Sequence, residues 1–77
     1  NRIQIKNKNF QELDSLIAEK ITKKIYHFFY DNNVFLRSKK IQIFLSELKN
    51  PNFKLFNIRG MIVKKFKDSL FFTKKAN

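Results

Sequence analysis

The side chains able to do covalent or metal chemistry are few and scattered. His27 is the single histidine, and there is no cysteine. No imidazole or thiolate cluster that holds a metal ion can be assembled from such a set. His27 stands between Tyr26 and Phe28 and reads as a surface or edge side chain. Asp31 and Asp68 have no acidic neighbour in sequence, so neither suggests a carboxylate pair for general acid–base work. A phosphate-cradling loop needs several glycines, and Gly60 is the only one. Ser15, Ser38, Ser46 and Ser69 lack the tight glycine-flanked turn that exposes a nucleophilic serine. The expectation is a protein that binds rather than catalyses, with no cofactor and no metal.

Binding chemistry is supplied by charge. Seventeen Lys and Arg face six acidic residues, a formal charge of +11. An acidic partner accounts for this: nucleic acid, a membrane surface or an acidic protein face. Base composition competes as an explanation, because Lys, Asn, Ile and Phe are abundant here and all have A/T-rich codons. Lys outnumbers Arg 14 to 3, whereas phosphate recognition favours the arginine fork. The basic clusters are Lys20/Lys23/Lys24, Lys39/Lys40, Lys49/Lys54 and Lys64/Lys65/Lys67. Each reads as a solvated face unless several gather on one side of the fold. The ten phenylalanines fall at helical spacing and read as core before base-stacking platform.

The elements that must position these charges fit within one small domain. Seventy-seven residues bury only about 60% of the surface their unfolded chain exposes, so each large aromatic counts. With no cysteine, disulfides are excluded and an intracellular setting is the simplest reading. The chain begins at Asn1 and its one methionine is Met61, which suggests an excised piece of a longer protein. No apolar run approaches the roughly 20 residues of a membrane span, and the first residues lack signal-peptide features.

The reading along the chain is all-α. Residues 1–9 are expected as a linker or frayed end, 10–72 as the helical domain and 73–77 as a basic tail. Asn9 and Glu12 have capping-box spacing. Phe10, Leu13, Leu16, Ile17, Ile21, Ile25, Phe28 and Phe29 then recur at steps of three and four, predicting a helix over Phe10–Tyr30. Asp31-Asn32-Asn33 is a turn signal. Ile41–Leu45 alternates like a strand, but Ile41, Phe44, Leu45 and Leu48 share a helical stripe, and the run is long for a strand. Asn50-Pro51 ends that second helix and can open a third, since Asn caps well and Pro suits the first helical position. Gly60 would close it in a left-handed cap. Ile62, Val63, Phe66 and Leu70 predict one more short helix. The expected fold is a small three-helix bundle with an additional short C-terminal helix.

Two segments resemble a known family. "IAEKITKKIYHFF", Ile17–Phe29, is similar to the helix pattern L-A-x-x-I-E-x-x-I-Y-x-x-F in the central domain of transcription elongation factor TFIIS, with Thr22 in place of the Glu. "LSELKNPNFKLFNIRGMI" resembles the family's S-N-L-K-D-x-K-N-P-x-L-R-x-x-V-L-x-G-x-I, with two residues fewer before Asn50. The family's first-helix R-x-K-x-x-x-L pattern and its later E-E-M-A-S run are not evident. The resemblance implies a helical bundle that docks as a monomer on the largest-subunit surface of RNA polymerase II in the nucleus. Cleavage stimulation would need a downstream zinc ribbon. Family basic positions carry over to Lys40, Lys49 and Lys54, with Lys39 adjacent, as polymerase-facing residues. Ile17, Ile21, Ile25, Tyr26, Phe29, Leu48, Phe53 and Ile58 are the expected core. The alternative is a nucleic-acid-binding module in which the second helix and the Pro51–Gly60 helix form a helix-turn-helix, with binding otherwise non-specific.

Overall fold

Burial, more than residue type, alternates along the last third of the chain, and that alternation decides the architecture. In the computed structural model, which describes residues 2–31 and 36–75, the elements are β1 (Arg2–Lys6), α1 (Asn7–Gln11), α2 (Ser15–Phe29), α3 (Ser38–Leu48), β2 (Leu55–Ile58), β3 (Met61–Phe66) and β4 (Ser69–Lys74). The strands form one antiparallel sheet in the order β1-β4-β3-β2. The helices cover one face of it. The expected all-α bundle is therefore incorrect: the molecule has two layers, three helices on a four-stranded sheet.

The third and fourth expected helices are where the expectation fails. Phe56 and Ile58 on β2, Met61 and Val63 on β3, and Leu70 and Phe72 on β4 all point to the helices. Such period-two burial needs strands. Gly60 does not cap a helix. With Arg59 (φ +46°) it is one of two left-handed residues (Gly60 φ +95°) joining β2 to β3, the connection that matches strand twist. The Asn57 Oδ1 accepts from the Gly60 N–H at 2.8 Å and fixes the turn. Lys67 (φ +57°) and Asp68 link β3 to β4 in the same two-residue fashion.

Asn50-Pro51 does end α3, as expected. Instead of opening another helix, Asn50 accepts from the Asn52 N–H through Oδ1 at 2.9 Å, and its carbonyl accepts from the Phe53 N–H at 2.9 Å. This local side-chain turn is the usual competitor of an Asn N-cap.

The first expected helix is split. α1 stops at Gln11, and Asp14 caps α2, its carboxylate accepting from the Leu16 N–H at 3.1 Å. Residues 2–6, expected as linker, are an edge strand whose register with β4 runs from Arg2↔Thr73 to Lys6↔Ser69. In the expected tail, Thr73 and Lys74 complete β4, and residues 76–77 lie outside the described residues, as do Asn32 and Asn33 of the expected turn.

The core is built around Phe44, which is fully buried. Its ring meets those of Phe10 (6.4 Å between centroids), Phe53 (6.4 Å), Phe56 (5.7 Å) and Phe72 (6.3 Å). One side chain of α3 thus ties α1, β2 and β4 together, with the tilted geometry aromatic pairs prefer. Ile25, Tyr26, Leu48, Phe53 and Ile58 of the expected core are buried, and Ile21 and Phe29 pack at its edge. Ile17 is not core: it is 50% exposed. Thr22 is buried without penalty because its hydroxyl donates to the Ala18 carbonyl at 2.7 Å.

Candidate nucleic-acid interface

The helices use only one face of the sheet. The other face carries Leu55 and Asn57 from β2, Ile62, Lys64 and Phe66 from β3, Ser69, Phe71 and Thr73 from β4, and Arg2, Gln4 and Lys6 from β1. Among the described residues no helix covers it. Strand alternation sorts the side chains: at each position where an apolar residue enters the core, its neighbours turn outward.

Two features of this face stand out physically. The first is exposed apolar and aromatic surface: Phe66 at the end of β3 is 59% exposed and Leu55 at the start of β2 54%, with Phe71 half-buried between β1 and β3. The second is charge of one sign. None of the four strands contains Asp or Glu, and Arg2, Lys6 and Lys64 project from this face. Of the six acidic residues, five lie between Glu12 and Asp31 or at Glu47, in the helical half; only Asp68 belongs to the sheet, in the β3–β4 turn. A shallow groove across the sheet is lined by Arg2, Ile62, Lys64, Phe66, Phe71 and Thr73.

Cations rest on both aromatic rings. The Arg2 guanidinium carbon lies 4.6 Å from the Phe71 centroid, and the Lys67 ammonium 5.6 Å from that of Phe66, within the range of cation–π attraction. Gln4 donates to the Ser69 hydroxyl at 3.1 Å and knits β1 to β4 beside Phe71.

The four lysines expected to face a polymerase are spread differently. Lys39 and Lys40 are exposed in the first turn of α3, and Lys49 caps its C-terminal end, on the order of 13 Å further along the axis. Lys54 is exposed just before β2, its carbonyl accepting from the Lys65 N–H at 2.9 Å. The Lys40 ammonium lies 5.7 Å from the Phe56 centroid. These residues border α3 and the β2 edge. Of the other lysines, Lys65 and Lys74 belong to the helix-facing register of their strands, Lys74 lying 4.9 Å from the Tyr30 centroid.

Titration is perturbed away from this face. The Ser38 hydroxyl donates to Glu19 Oε2 at 2.7 Å, and the Lys23 ammonium lies 3.4 Å from the same oxygen. The Ser38 hydrogen bond is the main cause that holds the Glu19 carboxyl below its ordinary value; desolvation opposes it, and Lys23 adds to the lowering. Burial pushes the Tyr26 phenol up; it donates to the Arg59 carbonyl at 3.2 Å. Among the described residues there is no cluster of three metal-ligating side chains, and no helix is long and apolar enough to cross a membrane.

Arg2, Lys6 and Phe71 carry no functional expectation in the sequence reading. The polar–apolar alternation Arg2-Ile3-Gln4-Ile5-Lys6 is the signal for β1; only the pairing of β1 with β4 brings Arg2 to Phe71. Comparison with family models, with curated proteins and with solved structures returned no match to this chain.

Proposed function

We propose that this chain is a nucleic-acid-binding module that uses the uncovered sheet face. The observation that carries the reading is the combination on that face of Arg2, Lys6 and Lys64 with exposed aromatic surface, on strands that contain no carboxylate. Phosphates neutralise clustered cations and release counterions, and bases offer π faces to exposed rings. An acidic protein surface would use the charge but not the rings. The helix-turn-helix form of this reading is set aside, because the segment after Pro51 is a turn and a strand. Docking on RNA polymerase II, the role the resemblance implies, retains only the α2 segment in its support, since the Pro51–Gly60 spacing does not bracket a helix here.

The test is fluorescence anisotropy with labelled oligonucleotides at two salt concentrations, with polyglutamate of matched charge as competitor. Three phosphate contacts predict a slope of log K against log salt of roughly −2 on a single strand. Polyglutamate should displace the oligonucleotide poorly. Absence of binding at low salt, or equal displacement by polyglutamate, overturns the proposal.

A further inference from the structure

The cations on the two outer rings suggest how a ligand is taken. Phe66 pairs across the sheet with Ser69, and Lys64 with Phe71. The two phenylalanines are therefore diagonal neighbours on β3 and β4, with Cβ atoms about 7–8 Å apart. They are the two outward aromatics of the central strands. Arg2 covers the Phe71 ring, and Lys67 approaches the Phe66 ring. Neither cation is built into the fold. Arg2 is exposed at the first position of the edge strand, and Lys67 is exposed in a two-residue turn. A cation–π contact at such exposed sites is worth only about as much as thermal energy to twice that, so a stacked base can replace it.

Resting on the nucleic-acid reading above, we propose that the sheet face binds single-stranded nucleic acid by stacking two neighbouring bases on Phe71 and Phe66. The bases displace Arg2 and Lys67 from the rings, and the freed cations take the flanking phosphates together with Lys64. The rings then act as platforms that any base can use, and each cation exchanges a ring for a phosphodiester. Paired bases in a duplex have their faces occupied by their own stack and cannot reach the rings. The site therefore selects strandedness and not sequence. Leu55 and Ile62, outward on β2 and β3, extend the apolar floor beside the two rings.

The experiment separates stacking from charge. Wild type, Phe66→Ala, Phe71→Ala, Phe71→Leu and Arg2→Ala are titrated with a short single strand and with a duplex of the same length across a salt series. Phe71→Leu keeps apolar volume without a stacking ring, so a loss there is not a loss of packing; thermal melts check that each variant folds. Wild type should prefer the single strand. Each phenylalanine substitution should weaken single-strand binding roughly five- to hundredfold with an unchanged salt slope. Arg2→Ala should instead make the slope shallower by about 0.7. A duplex preference, or folded phenylalanine variants that bind like wild type while wild type binds normally, overturns the stacking proposal and leaves the nucleic-acid reading standing. No binding of either nucleic acid by wild type overturns both.

Discussion

The Tyr30 ring closes over Gly60. A Cβ added at Gly60 would collide with the Tyr30 Oη and come within 3.2 Å of its Cζ. The contact joins the end of α2 to the β2–β3 turn, beside the bond from the Tyr26 hydroxyl to the Arg59 carbonyl. Tyr26 and Tyr30 stack with centroids 4.8 Å apart, and Lys74 lies over the Tyr30 ring. Helical layer and sheet are thus registered against each other at the one glycine of the chain.

Gly60→Ala should therefore lose stability twice. Alanine is strained at φ +95°, and its methyl meets Tyr30. A combined loss of roughly 2–3 kcal/mol is expected. Tyr30→Phe removes the clashing oxygen. In a double-mutant cycle by denaturant melts, Gly60→Ala should cost less in the Tyr30→Phe background. Equal costs in both backgrounds would show that the strain is purely in the backbone.

Phe44 is the second point at which the layers depend on one residue. Phe44→Ala should cost about 3–5 kcal/mol, comparable to the whole stability of a domain this small. Circular dichroism should show an unfolded or molten chain. Phe44→Leu keeps most of the volume, so its fold should survive with a lowered melting temperature. A cooperative, near-wild-type melt for Phe44→Ala would contradict the packing described.

α3 and most of α2 were legible because their evidence is local. The stripe Ile41, Phe44, Leu48 repeats at steps of three and four, Asn50-Pro51 stops α3, and both are visible without the rest of the chain. The sheet was not legible because short apolar runs satisfy both periods. Ile62, Val63, Phe66 and Leu70 fit a helical face, yet Met61, Val63, Leu70 and Phe72 are the ones buried. Arg59-Gly60 reads equally as a helix end or a hairpin turn, since both need positive φ. What settles the choice is tertiary: β3 is central and gains partners on both sides. The candidate site was legible in part. Lys64 lay in a named basic cluster, but Phe71 and Arg2 are separated by nearly the whole chain and meet only through the β1–β4 pairing.

Acid should weaken the fold partly through Glu19. Its folded pKa lies below the ordinary value because Ser38 and Lys23 favour the charged form. The stabilisation it gives is therefore present above the unfolded pKa, and it is lost as pH falls through the folded one. Glu19→Gln should melt below wild type near neutrality. The two curves should converge as pH drops beneath the carboxylate range. A constant gap down to the acid limit would mean that the Ser38 contact does not depend on ionisation.

The last prediction separates the sheet face from net charge alone. Arg2→Glu/Lys64→Glu and Lys40→Glu/Lys54→Glu remove the same amount of charge from the same +11 chain. If affinity for nucleic acid follows only the overall field, the two double variants lose it equally. Arg2 and Lys64 line the groove with Phe66 and Phe71, whereas Lys40 lies beside Phe56, which faces the core, and Lys54 borders the β2 edge. Arg2→Glu/Lys64→Glu should therefore bind a single strand at least about tenfold more weakly than Lys40→Glu/Lys54→Glu, with a salt slope shallower by roughly the two lost contacts. All four positions are exposed, so both variants should keep the wild-type circular dichroism spectrum. The reverse order of affinities would move the interface to α3 and the β2 edge, the side on which the polymerase-facing lysines were expected.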